Sequence, residues 1–190
     1  MIQNLCVFCA SSNGVAEPYF QVARELAAWM GCQNMTLIYG AGNVGLMGAL
    51  GPIVHQHGGR VVGVIPKFMR DKHLAYEEAD EVIETPDMRE RKTIMADRAE
   101  AFLTLPGGFG TLEELLEILT LKQLHQHAKP VVLLNTAGFF DPLLAMFERL
   151  YVERFTKPEF RQLYHVATSV SEAAEYLQSY RPTPTTGKWF

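Results

Sequence analysis

The sequence is poor in cysteine, in long apolar runs and in surplus charge, and each shortage excludes a class of protein. Three cysteines among 190 residues are an odd number and too few for a disulfide scaffold, which favours a reducing compartment and predicts a cytoplasmic protein. No segment approaches the roughly 20 apolar residues that span a bilayer. The start, MIQNLCVFCASS, lacks the features of a signal peptide, so we expect no membrane association. A net charge of −4 with scattered cations argues against nucleic-acid binding.

Residues that bind metals are also sparse. Cys6 and Cys9 form a C-x-x-C pair, but they fall on a predicted strand, where an odd spacing directs the two side chains to opposite faces. No second pair completes a zinc site. Two H-x-H pairs lie near predicted helix ends: His55 with His57, and His125 with His127. Because residues two apart on a helix do not share a face, we expect no metal site and interpret these histidines as complements to helix dipoles.

Short apolar runs alternate with longer helical patterns along the chain. The runs predicted to form strands are NLCVFCA, MTLIYG, RVVGVIP, EVIET, AFLTLPGG and KPVVLLN. The first predicted helix covers residues 18–32 and places Phe20, Ala23, Ala27 and Met30 on one stripe, as expected for a helix that covers a sheet. With right-handed crossovers, this alternation predicts an α/β protein: a Rossmann-like, doubly wound parallel sheet in a three-layer α/β/α arrangement.

The C-terminal part continues this pattern and then loses it. We expect a helix that begins at Asp141, a last strand or extended stretch at residues 166–170, and a closing helix at residues 171–177 with Ser171 as its N-cap. The final stretch, RPTPTTGKWF, is polar and rich in proline. The sequence therefore predicts a single domain over residues 1–180 and a poorly ordered tail over residues 181–190.

Two predicted strands run into turns that suit a ligand site. The first ends in CASSNG, where Ser12 offers a hydroxyl, and the second ends in YGAGNVGLMG, where Gly40, Gly42 and Gly45 satisfy G-x-G-x-x-G. A dinucleotide site is disfavoured, because the next strand ends in GVIPKF and lacks the acidic residue that holds a ribose. A phosphate or ribose contact at Gly42 and Gly45 is retained as a hypothesis.

A third turn, LPGGFGTLEELLEI, opens a long amphipathic helix, and the residues expected to face the core are Leu112, Leu115, Leu116, Leu119 and Leu124. The backbone N–H groups of residues 107–111 and the Thr111 hydroxyl are suited to an anion, although the lysine of a P-loop is absent. Two interpretations of Glu114 are open at this point. It completes a T-x-x-E capping box with Thr111, or it is a catalytic carboxylate.

The segment DMRERKTIMADRAEAF predicts a helix with a cation on its inner side. Met88, Met95 and Ala99 mark the apolar face, and Arg91 falls on the same inward stripe. An inward cation without a partner costs several kcal/mol, so Arg91 must face a carboxylate, an anionic ligand or a wet cleft. Two alternatives are open. Arg91 and Glu114 form a buried ion pair, or both lie in a cleft where they act on one substrate.

MRERK at residues 88–92 followed by PGGFGTLEE at residues 106–114 resembles the paired signature of the Lonely guy (LOG) family. These proteins are cytokinin riboside 5′-monophosphate phosphoribohydrolases, and many carry the older label "lysine decarboxylase-like". The resemblance implies a homodimeric, nucleotide-binding hydrolase that cleaves the N-glycosidic bond of N6-substituted adenosine 5′-monophosphate, with no metal or cofactor. The free base and ribose 5-phosphate would be the products.

The resemblance also implies roles for particular residues. Arg91 and Glu114 are the expected catalytic pair, because a carboxylate stabilises the positive charge that develops on the ribose and orients water at the anomeric carbon. The residues expected to bind substrate are Ser12, Gly42, Gly45, Lys92, Gly107, Gly108, Phe109, Gly110, Thr111 and Thr120.

The chain departs from the family pattern at two places. Ala41 stands within a run that is all glycine in the family, where a methyl group narrows the pocket or disfavours a positive φ, and Asp71-Lys72-His73 stands where relatives often place a glutamate. Both changes bear on base and ribose specificity.

Two alternative functions are open. The protein hydrolyses a broader set of nucleoside monophosphates, or it carries a nucleotide or cofactor without catalysis. A decarboxylase is disfavoured, because no lysine is singled out for a Schiff base.

Overall fold

The computed structural model describes residues 2–182 and contains a seven-stranded sheet. The strands are β1 (Asn4–Phe8), β2 (Thr36–Tyr39), β3 (Arg60–Pro66), β4 (Glu81–Thr85), β5 (Ala101–Thr104), β6 (Val131–Leu134) and β7 (His165–Ala167). Their order is β4-β3-β2-β1-β5-β6-β7, and every neighbouring pair is parallel. The predicted α/β fold with a doubly wound parallel sheet is confirmed.

Helices cover both faces of the sheet. They are α1 (Glu17–Cys32), α2 (Gly45–Gln56), α3 (Lys67–Arg70), α4 (Met88–Arg98), α5 (Phe109–Gln123), α6 (Asp141–Val152) and α7 (Val170–Ser179). One apolar core joins α1, α2 and α7 to the sheet, and a second core on the opposite face joins α4, α5 and α6 to it. Strands buried on both faces explain why their sequences are continuously apolar instead of alternating.

The strand order reverses direction at β1, which pairs with β2 on one side and with β5 on the other. In doubly wound sheets a crevice opens at this point, outside the carboxyl ends of the strands, and ligands bind there. The chain segments that leave this edge are the loop after β1, the glycine-rich turn after β2 and the turn between β5 and α5. The fold therefore brings the three turns singled out from the sequence to one edge of the sheet.

Three local predictions need correction. The N-cap of α7 is Ser169, whose hydroxyl accepts the N–H of Glu172 at 3.2 Å, and not Ser171. Met88 is not on the buried face of α4, since 39% of its surface is exposed. Leu115 and Leu119 of α5 are buried as expected, but Leu116 and the C-cap Leu124 are exposed. Of the predicted tail, residues 183–190 lie outside the described residues.

The cysteines and histidines take the places expected of structural residues. Cys6 and Cys9 are buried in the cores on opposite faces of the sheet, and all three cysteines are free. His55 lies in the last turn of α2 and His57 is its C-cap. Within residues 2–182, no group of three or more potential ligands is placed to hold a metal, and no helix is both long and apolar enough to cross a bilayer.

Candidate functional site

The glycine-rich turn after β2 is closed by the loop that follows β1. At the N-terminus of α2, the N–H of Gly45 donates to Asn13 Oδ1 at 2.8 Å, and the N–H groups of Leu46 and Met47 donate to the carbonyl of Ala10 at 3.0 and 3.3 Å. Gly45 has a φ of +65°, and a side chain there would overlap the backbone at Ser11. The amides that a phosphate would need are thus already bonded within the protein, so Gly45 offers it no free N–H.

The turn before α5 is open. Gly108 is the N-cap and provides no side-chain cap, and the N–H groups of Phe109, Gly110 and Thr111 have no hydrogen-bond acceptor among residues 2–182. A Cβ on Gly107 would lie 2.6 Å from Thr111 Cβ, so the glycine is needed for this tight approach. Three free amides at the positive end of a 15-residue helix form a site suited to an anion.

The capping box predicted for residues 111–114 does not form. The helix begins two residues earlier, at Phe109, so Thr111 is inside its first turn and is not the N-cap. The Glu114 side chain does not return to the Thr111 amide but contacts Arg91 across the interface between α4 and α5. The capping interpretation of Glu114 was therefore wrong.

Arg91 and Glu114 form a buried ion pair. Asp87 caps α4 by accepting the N–H groups of Arg89 and Glu90 at 2.8 and 2.9 Å, which fixes where the helix starts and hence which residue points inward. Arg91 Nη1 donates to Glu114 Oε1 at 2.8 Å, and Arg91 Nε donates to the carbonyl of Val64 at 3.1 Å. Only 4% of Arg91 and 7% of Glu114 are exposed. The inward position predicted for Arg91 is confirmed, and the ion pair that we considered as one alternative is present.

The two oxygens of the Glu114 carboxylate differ in environment. Oε1 accepts the hydrogen bond from Arg91. Oε2 has no hydrogen-bond partner among residues 2–182. It is not enclosed by protein atoms either, so solvent reaches it. Burial raises the pKa of the Glu114 carboxyl above its usual range, and the adjacent Arg91 charge opposes that shift. A carboxylate with one oxygen held and the other open is able to orient a water molecule or to face a positive centre.

The other predicted residues are distributed around this pair. Lys92 is mostly buried and bridges α4 to α5 through ion pairs with Glu113 and with Glu117, the latter at 2.9 Å. Ser12 is exposed in the loop after β1, and its hydroxyl accepts the N–H of Gly14 at 3.2 Å. Thr120 is three turns from the start of α5, where its hydroxyl donates to the carbonyl of Leu116 at 2.7 Å. Thr120 is thus away from the free amides.

Sequence reasoning missed two groups that build the site. Asn13 holds the loop after β1 on α2, and its position after two serines and before a glycine was the signal that a turn residue with a capping side chain was present. The Val64 carbonyl, which fixes the Arg91 side chain, left no signal in the sequence because it is a backbone group.

Comparison with known proteins places this chain in a family. Residues 47–177 match the family model described as "Possible lysine decarboxylase". The chain is 42% identical over 180 residues to the cytokinin riboside 5′-monophosphate phosphoribohydrolase LOG5 of Arabidopsis thaliana, covering 95% of this chain and 79% of that protein. The chain belongs to the LOG family. The protein named "Probable cytokinin riboside 5′-monophosphate phosphoribohydrolase LOG6" of the same plant is 43% identical over 95% of this chain and 90% of its own.

Solved structures share the architecture of this LOG protein at lower sequence identity. The molybdenum cofactor binding protein of Rippkaea orientalis matches with a TM-score of 0.72 at 19% identity, over 94% of this chain and 97% of its own. The Moco carrier protein of Chlamydomonas reinhardtii matches with a TM-score of 0.71 at 22% identity, over 94% and 96%. At these identities the likeness concerns the fold alone.

Ala41, in the glycine-rich turn of this LOG protein, adopts the positive φ that an alanine was expected to disfavour. Ala41 is fully buried with a φ of +57°, in the left-handed region that favours glycine. Its methyl group occupies space left by Gly63 on β3, because a Cβ on Gly63 would lie 2.6 Å from Ala41 Cβ. The methyl group therefore packs into the sheet side of the turn.

Proposed function

We propose that this protein hydrolyses the N-glycosidic bond of cytokinin riboside 5′-monophosphates, which are N6-substituted adenosine 5′-monophosphates, and releases the free base and ribose 5-phosphate. The observation that carries the proposal is the buried Arg91–Glu114 pair next to the open N-terminus of α5. It occurs in a chain 42% identical to LOG5, whose name states this activity.

The turn of residues 107–111, with the three free amides of residues 109–111, is the proposed site of the 5′-phosphate. Their N–H groups and the helix dipole favour a dianion, and Gly108 and Gly110 leave space for it, since a Cβ on either glycine would have no neighbour within 4 Å. Glu114 lies three residues after Thr111, about 4.5 Å further along the helix axis. A nucleotide held by its phosphate would therefore extend its ribose toward Glu114.

Glu114 is the proposed general base, and it is also the proposed electrostatic stabiliser of the transition state. As the bond between the anomeric carbon and the base nitrogen breaks, its electron pair leaves with the base and positive charge develops on the ribose. The open oxygen Oε2 would orient a water molecule at the anomeric carbon and accept its proton, while Arg91 holds Oε1. The departing base takes a proton from solvent. Help of this kind accelerates a reaction by about 10²–10⁴.

Release of ribose 5-phosphate from separate nucleotides tests the proposal. Isopentenyladenosine monophosphate, AMP and GMP are incubated with the protein, with Glu114→Gln and with the control Glu175→Gln, which changes an exposed carboxylate on α7. We expect hydrolysis of the N6-substituted nucleotide in preference to AMP and GMP, loss of at least ~100-fold in Glu114→Gln, and no change in Glu175→Gln. Binding of nucleotides without hydrolysis by the unaltered protein would instead support a carrier, and equal rates with AMP would support a broad hydrolase.

A homodimer in the cytoplasm is the proposed form of the enzyme. Large apolar side chains remain exposed beside α5 and α6, among them Val152 at 77% and Phe155 at 75%, and Phe155 lines an apolar groove of about 430 Å³. A surface of this kind on a globular protein is typical of an interface. The three free cysteines suit a reducing compartment. Light scattering after size-exclusion chromatography checks the dimer, and a mass of one chain, 21.3 kDa, would contradict it.

A further inference from the structure

The Arg91 guanidinium lies against the backbone of β3 and of Gly40, the residue that follows β2. Nε is held by the Val64 carbonyl of β3 at 3.1 Å. Nη2 lies against the α-carbon of Gly40, the residue that follows β2: a Cβ built on Gly40 would overlap Nη2 and lie 3.0 Å from Cζ. Since real carbon contacts are longer than this, the guanidinium and a side chain at position 40 cannot both occupy this space.

Backbone conformation does not explain the glycine at position 40. Among the described glycines, the left-handed region is occupied by Gly45, Gly58 and Gly138, and Gly40 is not one of them. An alanine would therefore be tolerated here if only the backbone torsions mattered. A phosphate bound at the start of α2 does not explain it either, because the N–H groups there are already bonded to Asn13 and Ala10.

The two atoms nearest to a Cβ built at position 40 both belong to the Arg91 guanidinium, so the space that this side chain needs explains the glycine. We infer that Gly40 is a positioning residue for the reaction: it leaves the room in which the Arg91 guanidinium lies between the Val64 carbonyl and Glu114, with Nη1 directed at Glu114. The inference rests on the proposed function for its catalytic meaning, whereas the steric coupling between Gly40 and Arg91 is independent of it. The glycine-rich turn after β2 then serves the catalytic pair through Gly40 and the loop after β1 through Gly45.

A methyl group at position 40 has a specific consequence for Glu114. It displaces the guanidinium, so Glu114 Oε1 loses its hydrogen bond and the charge that opposes the effect of burial on its pKa. The charged groups that otherwise face Glu114 are Lys92 and Glu113, which remain in place because their ion pair does not involve Arg91. The amides at the start of α5 are not touched. Catalysis is therefore expected to suffer more than substrate binding.

The steric coupling is tested by thermal unfolding of four proteins: the unaltered chain, Gly40→Ala, Arg91→Met and the double variant. Gly40→Ala is expected to lower the Tm by roughly 4–8 °C when Arg91 is present, and by less than about 2 °C in the Arg91→Met background, because the overlapping atoms are gone. Gly14→Ala is the control for a change from glycine to alanine, since its nearest new neighbour would be Ser12 Oγ at 3.6 Å. An equal loss in both backgrounds overturns the inference.

The positioning role is tested by kinetics on the nucleotide that the unaltered protein hydrolyses. Gly40→Ala is expected to lower kcat by at least ~100-fold with KM changed by less than about threefold, and to move the acid limb of the pH profile to higher pH. A rise in KM with kcat unchanged refutes the positioning role. An unchanged kcat also refutes it when the Tm coupling is found. If the unaltered protein hydrolyses no nucleotide while the Tm coupling is found, the proposed function fails and the Gly40–Arg91 coupling stands.

Discussion

Removal of one member of the Arg91–Glu114 pair is expected to destabilise the protein far more than removal of both. At 2.8 Å and an effective dielectric constant of 20, the attraction between the two charges is about 6 kcal/mol, and it offsets the loss of hydration of two buried ions. Arg91→Met leaves Glu114 as an uncompensated charge, and Glu114→Leu leaves Arg91 in the same state. Each single variant is expected to lose about 3–5 kcal/mol of unfolding free energy.

The double variant Arg91→Met/Glu114→Leu removes both charges and fills the site with apolar atoms. Its unfolding free energy is expected to lie within about 1 kcal/mol of the unaltered protein, or above it. Urea denaturation measures all four proteins, and each single variant should unfold at a midpoint lower by about 1–2 M. The double variant should be stable and inactive in the ribose 5-phosphate assay, which separates the structural from the catalytic role. A loss below about 1 kcal/mol in both single variants would refute the reasoning, because it would mean that the charges are hydrated.

Three further predictions concern the pH dependence that Glu114 confers and two other parts of the molecule. Because burial raises the pKa of Glu114, kcat should fall as the pH is lowered through a midpoint above about 4.3, the usual value for a glutamate; a profile that is flat down to pH 4 contradicts this. Gly63→Ala should lose about 1–3 kcal/mol of stability through overlap with Ala41, and the Ala41→Gly background should recover most of it in chemical denaturation; equal losses in both backgrounds would exclude the overlap. Burial lowers the pKa of Lys122 from 10.5 to about 8. As the pH rises, the folded state therefore releases this proton at a lower pH than the unfolded state does, and the free energy of unfolding should rise between these two pH values. Lys122→Met should abolish that rise, and an unchanged rise in this variant would assign it to other groups.

The strands, the helices and the inward arginine could be predicted from the sequence because each depends on a local period. A run such as RVVGVIP, apolar on both faces, suits only a strand covered by helices on both sides, and β3 is the strand it forms. The position of Arg91 follows from 100° per residue once the helix is assumed. These conclusions use only the order of side chains along one element.

The site could not be completed in this way because its contacts join distant segments. The T-x-x-E pattern at residues 111–114 satisfies a local rule, but a guanidinium from another helix is a stronger partner for Glu114 than the amide of its own first turn. Likewise, the N–H of Gly45 donates to Asn13, which is 32 residues away in the sequence, and is not free to bind a phosphate. A G-x-G-x-x-G pattern does not predict this contact. Local patterns identify what a group is able to bind, and tertiary structure decides which partner reaches it.

The bond between Asn13 and Gly45 also sets a limit on how this protein can vary. The loop after β1 caps a helix to which it does not belong, so its length must match the distance from the end of β1 to the start of α2. An insertion or deletion between Ala10 and Asn13 would therefore uncap α2 and move Ser12 in one step. Loops usually tolerate such changes; here, we expect the length of this loop to be as constrained as that of a strand.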